Sequence, residues 1–197
     1  MLEWQRFLIR EHIGAFKLTD TYDIFASENG QPIGVAREVI GGVKKFLRMF
    51  LSKNLFPTTI EIREGPDESL LCTLHRGMNW LSTRIEVIDA QDQLIGYFQS
   101  KRMTIAGGFW VYTADDQQFA EVKAKSVMGF DYVFRTPDGT ELGNVSKEFG
   151  GIAKEMFTSA DSYEVTLADS MRDQPFAKML LLAAALCIDM VFKESKN

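Results

Sequence analysis

The sequence predicts a mostly β fold of the α+β class: a closed antiparallel barrel of about twelve short strands around a buried C-terminal hydrophobic helix. Three observations point there. A unit of β-type run, polar turn and second β-type run recurs through the middle of the chain. A single wholly apolar helical run stands near the C-terminus. The 197 residues, 46% hydrophobic and 25% charged, are enough to bury one full core.

The units follow in order. Tyr22-Asp-Ile-Phe25 is parted from Ile33-Gly-Val35 by Glu28-Asn29-Gly30, and Ile60-Glu-Ile-Arg63 from Leu70 to Leu74 by Gly65-Pro66-Asp67. Ile85-Glu-Val-Ile88 and Leu94 to Phe98 flank Gln91-Asp92. Phe109 to Tyr112 and Phe119 to Val122 flank Asp115-Asp116, and Tyr132 to Arg135 and Leu142 to Val145 flank Pro137-Asp138-Gly139. Each is a hairpin signal. Alternation of β-branched or aromatic residues with polar ones suits antiparallel strands buried on one face. Closing them on themselves removes exposed edges.

The helix is expected over 174–193, with Asp173 as N-cap and Pro175 in its first turn. Its unbroken apolar stretch runs from Met179 to Ile188, between Lys178 and Asp189. A membrane span needs about 20 apolar residues, so length favours a buried core helix over a transmembrane one. Having no polar face, it must be enclosed on all sides. Cys187 is expected to pack inside as a small hydrophobe.

Between the first two hairpins, residues 38–57 read as a basic amphipathic insertion in a single domain spanning 1–197. No acidic residue stands between Glu38 and Glu61. On a helix Val43, Phe46, Leu47, Phe50 and Leu51 share one face, with Lys44, Lys45 and Arg48 mostly off it; Lys53 and Phe56 extend the pattern. That is the composition of an interfacial membrane anchor. Each basic residue near an anionic leaflet adds roughly 1 kcal/mol of attraction. The same stripe would also serve to pack on the barrel wall or to pair two copies of the chain.

The C-terminal third carries a family resemblance. Gly143-Asn144-Val145-Ser146-Lys147, Gly151-Ile152-Ala153-Lys154-Glu155, Phe157-Thr158-Ser159-Ala160-Asp161-Ser162-Tyr163 and Ile188-Asp189 to Glu194 keep the order and spacing of motifs that close a phospholipid scramblase. No one piece is specific; together they are. Upstream, Leu8-Ile9 to Phe25 and Gly30-Gln31-Pro32-Ile33-Gly34 resemble the family's opening segment and first hairpin, so the likeness covers nearly the whole chain. Scramblases are similar to the tubby-like superfamily, which includes the LURP-one-related proteins, and the resemblance implies a twelve-stranded barrel threaded by its C-terminal helix. Neither a proline-rich extension nor a multi-cysteine palmitoylation cluster is read, which suits a compact, non-animal member. The insertion at 38–57 occupies the place of that cysteine cluster.

Animal scramblases are associated with calcium binding between the F-T-D strand and the last helix. Aligned on Phe157-Thr158, the acidic positions fall on Ser159, Asp161 and Ser170, with Asp169 one residue away. Calcium takes six to eight oxygen ligands, several anionic for tight binding. Asp161, Glu164, Asp169 and Asp173 would form a weak site, and a solvated acidic loop is the reading the ligand count favours. No other cofactor is expected.

Little supports covalent catalysis. His12 and His75 have no cysteine or carboxylate at metal-ligand spacing, and Gly41-Gly42, Gly107-Gly108 and Gly150-Gly151 make no phosphate-binding loop. Trp4, Trp80 and Trp110 read as core or opening-segment anchors. Two distant cysteines, Cys72 and Cys187, form no disulfide framework, and the start Met1-Leu-Glu-Trp-Gln-Arg reads as no secretory signal. A net charge of −5 argues against nucleic-acid binding. The expectation is therefore a cytoplasmic, scramblase-like protein at the inner membrane face, partnered by anionic phospholipid and able to self-associate. A binding module that moves no lipid, or a scaffold using the basic helix as a dimer contact, is the alternative.

Overall fold

A computed structural model describes residues 1–12, 19–40, 57–77, 84–100, 108–125, 131–147 and 162–192, with side chains to residue 188 in the last. Twelve strands are present. They are β1 (Arg6–Glu11), β2 (Thr21–Ala26), β3 (Pro32–Glu38), β4 (Thr58–Glu64), β5 (Ser69–Arg76) and β6 (Arg84–Asp89), then β7 (Leu94–Ser100), β8 (Gly108–Thr113), β9 (Gln118–Ala124), β10 (Tyr132–Arg135), β11 (Glu141–Ser146) and β12 (Ser162–Leu167). A 3₁₀ turn, Asp169–Met171, leads into the helix α1, Pro175–Phe192. Every strand pairs antiparallel with its chain neighbours, and β1 pairs with β12, so the sheet is a closed barrel.

Alternation decides which residues point inward. Phe7 and Ile9 of β1, Ile60 and Ile62 of β4, Ile85 and Val87 of β6, and Tyr163 and Val165 of β12 join one continuous core with the helix. Leu181 through Ile188 of α1 are each 0% exposed. Burying a side chain such as Leu or Ile contributes about 1.5–3 kcal/mol, so these two turns of helix are the chief apolar mass of the core. The wall opens for it at Gly96, where a Cβ would sit 2.9 Å from Leu180 Cδ2. Phe98 and Phe109 pack as a tilted ring pair, 5.5 Å between centroids.

The outer face carries Arg10, Asp23, Arg37, Glu61, Arg63 and Glu86, several in ion pairs. Apolar inside and charged outside is the inverse of what a membrane-crossing barrel needs. No helix among the described residues is long and apolar enough to cross a membrane.

In an up-and-down barrel the connections alternate between its two ends. One end, here the turn end, carries the short links 27–31, 65–68, 90–93, 114–117 and 136–140, and the passage from β12 into α1. Each of its five hairpins shifts register close to the turn, as between Ile24 and Phe25 or Val87 and Ile88. Such bulges tighten the twist that closure requires. Asp89 closes its turn by accepting the backbone N–H groups of Gln91 and Gln93, both at 2.9 Å.

One expectation needs correcting. The helix starts at Pro175 and its first backbone bond runs from Lys178 N–H to the Gln174 carbonyl, so Gln174, not Asp173, holds the N-cap position. Proline with its missing N–H fits N1, which sets the start one residue later than Asp173 as cap would allow. The buried helix, the free buried Cys72 and Cys187, and the hairpin runs are as the sequence suggests.

Candidate functional site

The basic segment Val43, Lys44, Lys45, Phe46, Leu47, Arg48, Phe50, Leu51, Lys53 and Phe56 lies outside the described residues, but its two anchors on the barrel are defined. It leaves β3 after Glu38 and returns at Thr58 on the neighbouring strand β4. Val39 N–H donates to the Thr59 carbonyl at 2.8 Å, and Glu38 N–H to the Asp20 carbonyl at 2.8 Å. The Glu38 carboxylate, buried, accepts the Asp20 N–H at 3.2 Å. Across the joint Arg76, also buried, donates from Nη2 to Thr58 Oγ1 at 3.0 Å. The pairing of β3 with β4 continues to Glu38–Ile60, so the connection springs from a hydrogen-bonded pair of strands. Val39 is half exposed at that base.

The proposed calcium ligands do not gather among the described residues. Glu164 lies on the outer face of β12 and is 6% exposed; its Oε1 accepts Arg6 Nη2 at 2.7 Å and the Ser27 hydroxyl. Asp169 is exposed, with Arg172 Nη2 3.1 Å from its Oδ1, and Asp173 is exposed beyond the 3₁₀ turn. Asp161 lies outside the described residues. No group of three or more His, Cys, Asp or Glu that could hold a metal occurs among the described residues.

The wall of β12, β1 and β2 holds what the sequence does not reveal. Leu8 faces outward, between its cross-strand partners Glu164 and Phe25, yet is 0% exposed. Charge surrounds this apolar centre. Arg10 sets its guanidinium 5.1 Å above the Phe25 ring and its Nη2 2.8 Å from Asp23 Oδ2. His12 Nε2 lies 2.7 Å from the same oxygen. Burial raises the Asp23 pKa, but Arg10 and His12 outweigh it and hold the carboxyl below its ordinary range. Only the strand register brings these residues together, and each by itself reads as an ordinary surface polar residue.

The remaining candidates sit apart. His75 meets Thr59 Oγ1 across β4 and β5, with Nδ1 at 3.2 Å. Trp4 packs against the core, Trp110 stands on the outer face of β8 opposite Gln99 and Glu121 rather than inside, and Trp80 is outside the described residues.

A twelve-stranded barrel filled by its C-terminal helix meets the architecture the motifs imply, and the family model described as Scramblase matches residues 8–195. The chain belongs to the scramblase family. No curated protein and no solved structure matches it. Family membership gives a lipid-related setting, and in this scramblase-family chain the described part of the helix fills the barrel interior. Leu181 to Ile188 fill the axis of the barrel without exposure.

Proposed function

We propose that this scramblase-family protein is a peripheral membrane-surface protein that binds anionic phospholipid through the connection between β3 and β4, at the cytoplasmic face. Any exchange of lipid between leaflets takes place at its outer surface and involves no covalent step. The observation that carries this reading is the filled barrel: with α1 occupying the axis, function has to be displayed on the outside. The most membrane-suited outside feature is the acid-free run with Lys44, Lys45, Arg48 and Lys53 among Phe and Leu. Four basic residues near an anionic leaflet supply about 4 kcal/mol of attraction, to which apolar insertion adds. Its hydrogen-bonded base on two neighbouring strands ties the contact to a rigid wall, so lipid contact is transmitted to a fixed point on the barrel.

The filled interior also favours a second reading, a lipid-binding module that moves no lipid. Reduction of fluorescent lipid in vesicles carrying the protein separates the two. Loss of outer-leaflet signal alone means binding without transport, and further loss that depends on the protein means exchange. A dimer that forms through the same segment, and no vesicle binding, would replace both with the scaffold reading.

A further inference from the structure

The turn end of the barrel carries a negative rim around an exposed apolar centre. Its six connections, the five hairpin turns and the passage from β12 into α1, all lie among the described residues. Each holds at least one carboxylate, nine in all against one basic residue, Arg172. Among the described residues only Glu68, bound by Arg37, and Asp169, bound by Arg172, have a basic partner, which leaves seven unneutralised. In the first turn of the axial helix Phe176 is 62% exposed. Leu180, one turn deeper, reaches Gly96 of β7, and residues four apart share a helix face, so Phe176 leans over the β7 side of the mouth. There the bulged residues Ile95 and Phe119, turned inward by the register shifts of β7 and β9, pack half-buried against the core. We propose that this end docks a basic segment of a partner protein, with an apolar side chain seated on Phe176, Ile95 and Phe119 and Lys or Arg side chains on Asp92, Asp115 and Asp173. It lies at the opposite end from Glu38 and Thr58, the roots of the β3–β4 connection, so the inference goes beyond the membrane reading and does not rest on it.

Charge decides the occupant. Seven unneutralised carboxylates repel an anionic leaflet or a nucleic acid. Two copies meeting through this end would bring like-charged rims together, which is costly. A basic segment is attracted, and screening over about 8 Å at physiological salt confines that attraction to this end of the barrel. The fold itself asks for no aromatic at 176, since Gln174 and Pro175 beside it are exposed and burial begins at Ala177. An apolar centre within a polar rim is the anatomy of a protein interface, where a few aromatic anchors carry most of the binding.

The surface is held in place before any partner arrives. Two residues after Phe176, Lys178 donates to the Leu2 and Trp4 carbonyls and fixes the start of the helix. Asp115 accepts the Thr113 hydroxyl, Asp116 Oδ1 the Tyr97 hydroxyl at 2.8 Å, and Asp89 the Gln91 and Gln93 N–H groups, which fix the two turns that flank β7 and β8. Little ordering entropy is then lost on binding.

The test titrates the full chain into fluorescein-labelled peptides: a helix-forming amphipathic peptide of Lys, Ala and Leu, a second with Ser in place of Leu, and a third with Glu in place of Lys. The expected result is binding of the first alone, weakened by salt. Phe176→Ser should weaken it about thirtyfold, the loss of an interface anchor, while Phe176→Leu keeps most of it. Asp92→Asn, Asp115→Asn and Asp173→Asn together should weaken it about tenfold. All four positions are exposed, so unchanged melting temperatures certify that the variants fold. No binding of the first peptide, equal binding of the Ser peptide, or variants that bind as the native chain does would overturn the docking surface. A native dimer that Phe176→Ser dissolves in sedimentation would overturn it too, by placing a second copy there, and vesicle binding lost in the same variant would place the membrane there. Vesicle binding that fails in the native chain, beside peptide binding that depends on Phe176, removes the membrane reading and leaves this one standing.

Discussion

Lys178 Nζ lies 2.6 Å from the carbonyl oxygen of Leu2, and 3.3 Å from that of Trp4. A lysine that interrupts the start of an apolar helix is thereby wholly buried, and its ammonium holds the segment preceding β1 against the mouth of the barrel. Leu167 N–H donates to the Gln5 carbonyl at 2.8 Å, and Gln5 Nε2 to the Ala168 carbonyl at 3.2 Å, which complete the seal beside it.

Truncating this side chain in Lys178→Ala leaves two carbonyls without their donor and opens a void, and should cost about 2–4 kcal/mol in urea unfolding. Burial pushes the Lys178 amine below its ordinary range. The unfolded chain therefore binds more protons at this site, and stability from it rises with pH between the folded pKa and about 10.5. Comparing urea midpoints of the native chain and Lys178→Met across that window should show a rise in the native chain that the variant lacks. Parallel pH profiles would assign no such role to Lys178.

Arg6→Met should leave the buried Glu164 carboxylate with Ser27 as its remaining partner in this triad, at a cost of about 2 kcal/mol after allowance for the partly exposed guanidinium. Glu164→Gln should cost less, and the double variant less than the sum of the two. A double-mutant cycle measured by thermal or urea unfolding reads the coupling directly, and strict additivity would mean that the pair contributes nothing.

Gly96→Ala should be disproportionately damaging for one added methyl group. Its Cβ would fall 2.4 Å from the Tyr112 carbonyl oxygen as well as against Leu180, so either the β7–β8 ladder or the helix has to move. Overpacking of this kind costs about 1–3 kcal/mol. A variant whose melting temperature equals that of the native chain would show that the helix does not press on the wall at this point.

The hairpins were legible because each pairs a period-two apolar pattern with a turn of Asp, Asn, Gly or Pro, as at Asp138-Gly139 between β10 and β11. The helix was legible because Met179 to Ile188 has no polar face, and only enclosure satisfies that. Local pattern says nothing about partners distant in sequence, however. Glu164 read as a spare calcium ligand because its neighbours Asp161 and Asp169 are acidic, whereas the register of β12 on β1 delivers it to Arg6 and Ser27. Lys178 read as a boundary, and only the fold supplies the Leu2 and Trp4 carbonyls.

The central claim is attachment to anionic membrane through the β3–β4 connection, and co-sedimentation with vesicles tests it most directly. The native chain and a Lys44→Glu, Lys45→Glu, Arg48→Glu, Lys53→Glu variant are compared on anionic and neutral vesicles, with and without calcium. The predicted result is binding of the native chain to anionic vesicles only, weakened by salt and lost in the variant. A native chain that stays in the supernatant, or a variant that binds as well as the native chain, would contradict it.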